Sequence, residues 1–422
     1  MSTHKVASKN NLFSYRKPGS AEWNALAFDS IETDSEAPPW LEATDVAAAR
    51  VRENKSYIQE ILLKALQLPN LSFFAGSGTS LAEVGGPSMW DLWRKSMFLN
   101  PDAKEGDEEY RKLSTQASEA CKKVKYDQHK NPNIEQFLSQ CDAYLSFDRD
   151  EKILEFTQAV KKVILHECSS FINKTGSDIS SYQSLIQRLA RRRVRDPRLK
   201  VFTTNYDMCF ETAASNLGMV VVDGFSYARY RKFDGKYFNY DIVRREEQSS
   251  DFIEGVFHLY KLHGSVSWER SGSDVYENPE PKPQDAALIY PAKGKYQQAF
   301  IQPHLELLSR FLESLRQPNS CLLISGFGFN DDHLSEPIVS AIKSNPSLKL
   351  IVADFKARSN IEKSLFETSP YWEELSSLSL KGYDIHFINS SFSQLVSIIP
   401  NLKALTPADQ LAKAIKDIGG AK

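Results

Sequence analysis

Six short apolar runs follow one another through the second half of this chain: "LKVFTTN", "GVFHLYKLHGS", "AALIYPA", "NSCLLISGFGF", "LKLIVADF" and "YDIHFIN". They are rich in β-branched and aromatic residues and are separated by helical or loop-like stretches. A mostly parallel sheet covered by helices produces this pattern, because its strands are buried on both faces and need crossovers between them. A further run, "LSFFA", ends at Ala75 and is fed by "DVAAARVRENKSYIQEILLKALQL", whose apolar residues recur at helical spacing up to the Pro69-Asn70 turn signal. The class predicted is α/β.

Between Trp90 and Arg193 no convincing strand is present, so a large helical insertion of about residues 94–195 is expected after the first strand. Within it, Asn133 stands three residues before Gln136 in a capping-box pattern. His166 reads as a helix-face residue, since no second ligand lies at metal spacing. Residues 1–45 carry little periodicity and are acidic around "DSIETDSEAPPW", which reads as an N-terminal arm or linker. A main domain over 46–400 and a helical tail over 401–422 complete the expected organisation. No repeat of fixed period is found.

Composition excludes several classes. With 41% hydrophobic and 25% charged residues over 422 positions, the chain has ordinary globular usage. A formal net charge of -2 gives no global attraction to nucleic acid, so such contact would need a local patch. Cys121, Cys141, Cys168, Cys209 and Cys321 are odd in number and never form C-x-x-C, against a disulfide framework or a zinc ribbon. No apolar stretch approaches 18 residues and the start lacks a secretory h-region, so a cytoplasmic protein without a membrane anchor is expected.

Three motifs carry chemistry. In "AGSGTS", Gly76, Ser77, Gly78, Thr79 and Ser80 follow a strand and open toward a helix, a loop whose backbone can approach a pyrophosphate. It has no lysine, which disfavours a nucleoside triphosphate site and fits a dinucleotide better. In "VFTTNYDMCF" an apolar strand ends in Thr203, Thr204, Asn205, Tyr206 and Asp207. Strand ends face the ligand crevice of open α/β sheets, while Asn205 and Asp207 serve equally well as helix caps. In "LYKLHGSVSW" a third strand ends in His263 and Gly264. A lone histidine is a satisfied structural residue or a general base, and the polar strand end at Asn205 together with Gly264 beside the ring favours the base.

The order G-x-G-x-S, T-x-N-x-D, L-H-G-S, here Gly76–Ser80, Thr203–Asp207 and Leu262–Ser265, resembles the sirtuin family, whose corresponding runs bind and cleave NAD. The resemblance extends to "ISGFGFND" with Gly326 and to Asp354 at the end of "LKLIVADF", and spans residues 71 to about 390 with long unmatched segments. It implies a Rossmann-like fold. Sirtuin deacylases carry paired zinc cysteines and a Pro-Asp-Phe-Arg run; this chain has no C-x-x-C and reads Pro87-Ser88-Met89-Trp90. The pattern is more similar to the sirtuin-like NAD hydrolases of bacterial antiphage defence, including those paired with a HerA-type ATPase.

That resemblance implies an NAD glycohydrolase, with NAD as substrate and no metal. Gly76, Ser77, Gly78, Thr79, Ser80, Thr204, Gly326 and Asp354 would bind the dinucleotide. Asn205 would hold the nicotinamide ribose or the attacking water, Asp207 would orient the pocket, and His263 would accept a proton. It also implies a homo-oligomer and a HerA-type ATPase partner. A deacylase or ADP-ribosyltransferase, a sensor of NAD or ADP-ribose, and a nuclease component remain as alternatives. Two basic stretches bear on the last: "RLARRRVRDPRLK", read as a solvated helix end or a nucleic-acid patch, and "YARYRKF", read as an exposed strand or a single-strand contact. Phe73, Phe74, Trp90 and Trp93 are expected in the core, and Tyr206 and Phe327 near the crevice as stacking partners.

Overall fold

The computed structural model describes residues 13–27, 43–192, 196–245, 250–288, 302–362 and 369–401. Its strands in chain order are β1 (Ser14–Arg16), β2 (Asn24–Ala25), β3 (Asn70–Ala75), β4 (Leu199–Thr203), β5 (Val220–Val222), β6 (Val243–Arg245) and β7 (Ser250–Phe252). There follow β8 (Val256–Lys261), β9 (Gly264–Ser271), β10 (Asp274–Glu277), β11 (Ala286–Leu288), β12 (Ser320–Ser325), β13 (Leu348–Asp354) and β14 (Ile385–Asn389). The helices are α1 (Ala43–Leu66), α2 (Gly78–Leu81), α3 (Met89–Met97), α4 (Thr115–Lys123), α5 (Ile134–Leu145), α6 (Glu151–Ser170) and α7 (Ser180–Leu189). The second half adds α8 (Cys209–Leu217), α9 (His304–Arg316), α10 (Asp332–Ser344), α11 (Ala357–Glu362), α12 (Pro370–Leu380) and α13 (Phe392–Ile398).

The fold is mixed α/β around a nine-stranded sheet of order β2-β1-β14-β13-β12-β3-β4-β8-β5. From β14 through β5 every pairing is parallel, and only the pairings of β1, with β14 and with β2, are antiparallel. The chain places β4, β8 and β5 on one side of β3 and later adds β12, β13 and β14 on the other. The order therefore reverses between β3 and β12, and a crevice opens outside the strand ends at such a reversal.

Adjacent residues of β3 feed opposite faces, as the pleat requires. Phe73 packs with Leu62 of α1, Tyr182 of α7, Phe210 of α8 and Leu395 of α13. Phe74 packs with Phe311 of α9, Ile338 of α10 and Trp372 of α12. Burying both faces is why these strands read as continuous apolar runs.

The helical insertion builds a third core of its own. Trp93, Phe137, Val160 and Ile164 from α3, α5 and α6 enclose it, and Tyr206 and Val266 from the strand-end segments join it. Those two residues dock the helices over the end of the sheet. Ser88, Ser114, Asn133 and Asp150 cap α3 to α6, and Asn133 Oδ1 accepts from the amides of Glu135 and Gln136. Helix α7 lies outside this body and covers the main sheet.

Several expectations need correction. "AALIYPA" does not join the parallel sheet: β11 pairs antiparallel with β9 in a separate sheet of order β10-β9-β11. Within residues 1–45, Ser14–Arg16 is not a free arm, because it extends the main sheet along β14 and is fully buried. Residues 1–12 and 28–42 of that segment lie outside the described residues, as does the expected tail from 402 onward. Trp90 is 38% exposed rather than core. Phe327 is buried against Phe74 and Phe329, and Tyr206 is buried beneath the insertion, so neither presents a free ring for stacking. Among the described residues, no helix is long and apolar enough to cross a membrane.

Candidate functional site

The glycine loop sits at the reversal between β3 and β12, and its glycines have a geometric cause independent of any ligand. Gly76 donates to Ser325 O and Gly78 to Gly326 O, both at 2.9 Å. A Cβ on Gly78 would lie 2.7 Å from Gly326 Cα, and one on Gly326 would lie 2.7 Å from Gly78 Cα. Gly326 also has φ +63°, a conformation that side chains disfavour. The two loops therefore interlock backbone to backbone. The amides of Gly76, Gly78, Thr79 and Ser80 all have internal carbonyl acceptors here, which is tighter than the open cradle that the sequence motif implies.

Thr79 is the junction of this loop with the next strand end. Its hydroxyl donates to Gly76 O at 2.8 Å and accepts from Tyr182 Oη at 2.8 Å and from Asn205 Nδ2 at 3.2 Å. All of these groups are buried. Burial holds the Tyr182 phenol well above its ordinary pKa, so it stays a donor. Asn205 is fixed at its other end by its amide, which donates to Thr203 Oγ1 at 3.0 Å, and that hydroxyl reaches Ala75 O. The Thr204 amide donates to Ala75 O at 3.2 Å.

The register that pairs Thr203 with Lys261 sends Thr204-Asn205 and Leu262-His263 off the sheet side by side. Asn205 is 8% exposed and His263 3%. Gly264 follows because φ is +91° and because a Cβ there would meet Ala287 O at 2.1 Å, rather than to make room for the ring. Asp207 Oδ1 accepts the Cys209 amide at 3.0 Å just ahead of α8, whose N-cap position is Met208. Lys261, buried, reaches Asp207 O and pairs with Glu211 at 2.9 Å.

Three histidines gather at His263. Its Nε2 lies 3.3 Å from Nε2 of His333 on α10, with the rings stacked at 5.4 Å. His304, on α9, places Nδ1 3.3 Å from Leu262 O. Burial pushes His263 well below the usual imidazole range, and His333 and His304 add to the effect. Burial lowers His333 to about 4 against the opposing charge of Asp332, and His304 to about 3. His263 is thus a neutral acceptor at pH 7.

Two carboxyls that the sequence reading missed lie at the same end. Glu135, in the first turn of α5, accepts from Tyr206 Oη at 2.8 Å. Burial first, then the charge of Asp331, raises Glu135 to about 8; burial and Asp332 raise Asp331 to about 6. In the sequence Glu135 looks like an ordinary first-turn carboxylate behind the Asn133 cap, and His333 like a surface residue of an acidic helix start.

Beside the glycine loop a cleft of about 540 Å³ is lined by Ser77, Gly78, Thr79 and Gly326 and closed at the far side by Asp354 and Ser390. Burial raises Asp354 to about 6. Its Oδ1 accepts the Lys356 amide at 2.7 Å. Ser390 Oγ is buried in this cleft with no hydrogen-bond partner, a group left for a ligand or water to satisfy. Among the described residues no group of three potential ligands assembles for a metal ion.

The basic run is structural in part. Arg192 donates to Leu66 O, Leu68 O and Pro69 O, Arg188 to Ile399 O at 2.6 Å, and Arg198 forks onto Asp241. These guanidiniums close backbone carbonyls rather than forming a solvated stripe; residues 193–195 lie outside the described residues. In "YARYRKF", Arg231 is paired with Asp223 and Glu277, while Tyr230 is 78% exposed.

The architecture is thus a Rossmann-like α/β sheet with polar strand ends converging on a crevice at the order reversal. Residues 199–375 match the family described as SIR2-like domain. No curated protein matches the chain. Solved structures to which it is similar include a Sir2 enzyme from work on the mechanism and regulation of those enzymes, at 13% identity, 82% of this chain, 94% of that chain and a TM-score of 0.36. A Sir2 homologue mutant in complex with ADP-ribose gives 13%, 86%, 98% and 0.34. A Sir2 mutant with deacetylated p53 peptide and 3′-O-acetyl ADP-ribose gives 10%, 81%, 96% and 0.35.

Proposed function

We propose that this protein is an NAD glycohydrolase that cleaves NAD to nicotinamide and ADP-ribose. The SIR2-like domain match supports a sirtuin-like, NAD-binding function in general. The observation that carries the hydrolase reading is the pairing of Asn205 and His263 at the ends of adjacent strands, with Asn205 tied through Thr79 to the Gly76–Ser80 loop.

Breaking the nicotinamide–ribose bond passes through an oxocarbenium-like centre, so the protein must hold the ribose still and present one water. In this reading the cleft of about 540 Å³ takes the ADP-ribose portion, with Ser77, Gly78 and Gly326 along the pyrophosphate and Asp354 and Ser390 at the adenosine ribose. Ser80 holds the loop through its hydroxyl on Ser77 O, and Thr204 is held by its amide on Ala75 O. Asn205 orients the nicotinamide ribose or the water, and buried neutral His263 takes the proton. Asp207 acts by fixing the start of α8, which holds the Asn205 segment in place. The chemistry requires no metal.

The biological setting that fits is antiphage defence by NAD depletion, with the chain in a homo-oligomer beside a HerA-type ATPase that holds or releases its activity. The decisive experiment incubates the purified protein with NAD, with and without such an ATPase, and follows nicotinamide beside Asn205→Ala and His263→Ala. Release that disappears in both variants supports the reading. Intact NAD binding with no release under any condition replaces it with a sensor, and turnover that depends on an acyl peptide replaces it with a deacylase.

A further inference from the structure

His263 is not alone. Its Nε2 faces Nε2 of His333 at 3.3 Å, and the ring planes differ by 26°, so the two imidazoles share one hydrogen between two nitrogens. A shared hydrogen demands complementary tautomers: one ring donates from Nε2 and the other accepts there. With Nε2 committed to His333, Nδ1 is the nitrogen through which His263 meets a substrate. His263 is buried, whereas His333 is half-buried at the start of α10 beside exposed Asp332. The pair thus runs from the crevice toward solvent.

We infer that His333 is a positioning and proton-relay residue, fixing the tautomer of His263 and carrying away the proton that His263 collects. The inference rests on the hydrolase reading above. In the reaction, a water oxygen bonds to C1′ of the nicotinamide ribose, and the C1′–N bond breaks with its electron pair going to the nicotinamide nitrogen. The water proton goes to Nδ1 of His263, the Nε2 proton of His263 passes to His333, and His333 releases a proton to solvent. Atoms and charge balance without a further reactant.

The surroundings favour passage over storage. His304 from α9 and His333 itself disfavour a charge on His263, and burial disfavours charge on all three rings. Arg270 adds to the effect at His304. Only Asp332 pulls the other way, and it does so at His333. Asp331 stands one residue further back, and its charge acts on Glu135, which accepts from Tyr206. A proton therefore finds its one carboxylate counter-charge at the outer member of the pair.

The test compares wild type, His333→Ala and His333→Gln by nicotinamide release across pH, with and without added imidazole, and by nitrogen NMR of ¹⁵N-histidine-labelled protein. His333→Ala should lower kcat roughly 10- to 100-fold with KM for NAD little changed. Added imidazole should restore part of kcat, and His333→Gln, which keeps a hydrogen-bonding side-chain amide, should retain the His263 tautomer but not the relay. The His263 ring nitrogens should shift in His333→Ala. Unchanged kcat, lack of imidazole rescue in a variant that melts like wild type, or unmoved His263 nitrogens would each overturn the relay. Wild type that binds NAD and releases no nicotinamide would overturn the hydrolase reading and the relay's role with it. Coupled His263 and His333 nitrogens in that same protein would tell this failure from an error in the pair's geometry.

Discussion

Asn205 donates from Nδ2 to the hydroxyl of Thr79 across 3.2 Å, so the strand-end asparagine is aimed by the loop that begins at Gly76. The same hydroxyl receives Tyr182 from α7, on the far side of the helical insertion in sequence. One oxygen thus fixes three segments of the chain.

Replacing Thr79 by Val keeps its shape and removes that acceptor. Tyr182 and Asn205 then lose a buried acceptor, which destabilises by about 1–3 kcal/mol. We expect a lower urea midpoint and loss of nicotinamide release in Thr79→Val, and near-normal values in Thr79→Ser. Equal stability and activity in Thr79→Val would show that the hydroxyl does not aim Asn205.

Gly326→Ala tests the interlocked loops. The added carbon would lie 2.6 Å from Thr79 N at a φ of +63°, so one loop must retreat. Overpacking of this kind costs about 1–3 kcal/mol. The urea midpoint should fall, and ADP-ribose binding measured by calorimetry should weaken with it.

Ser390 separates a ligand role from a structural one. Its buried hydroxyl has no partner, so Ser390→Ala should leave the free protein as stable as wild type or slightly more so. Loss of a hydrogen bond in the complex of about 1.4 kcal/mol would weaken ADP-ribose binding roughly tenfold. Asp354→Ala should weaken it by a similar factor. Calorimetry with ADP-ribose decides, and unchanged affinity in both variants would remove this end of the cleft from the site.

Glu135 predicts a pH dependence of opposite sign to the histidines. Its folded pKa of about 8 lies above its ordinary 4.5, so the folded state binds the proton more tightly. The stability this gives is complete below about pH 4.5 and is lost as pH rises through 8. His304, lowered from 6.5 to about 3, contributes stability that is complete above 6.5 and lost as pH falls toward 3. Between about pH 4.5 and 6.5 the two effects offset one another, so thermal melts of wild type should be highest in that window and decline on either side of it. Glu135→Gln should flatten the alkaline decline alone; a parallel decline in the variant would assign it to another group.

The parallel strands were legible because burial on both faces makes them apolar throughout, as Phe73 and Phe74 illustrate. The strand-end polar groups were legible for the opposite reason: Asn205 and His263 break apolar runs abruptly. What the sequence hid depends on partners distant along the chain. The short strand at Ser14–Arg16 has no periodicity of its own and is buried only because β14 and Ser376 receive it, Arg16 Nη2 bonding to Ser376 Oγ at 2.9 Å. Gly76 and Gly78 were read as room for a phosphate, whereas the space a Cβ would take at either is filled by the backbone of Gly326. His333 and Glu135 carry no local signal, since only the packing of α10 and α5 over the strand ends turns them inward.

The pairing of β1 with β14 sets an order on how this molecule can be made. A ribosome releases Ser14–Arg16 well before Ile385–Asn389, and the buried Tyr15 and Arg16 have no sheet edge to enter until β14 is made. Until then the flank of β13 lacks its neighbour, and closing the edge requires the longest-range contact in the sheet. The crevice at the β3–β12 reversal thus belongs to a sheet that the nascent chain can seal only once β14 has followed β1 out by more than three hundred residues.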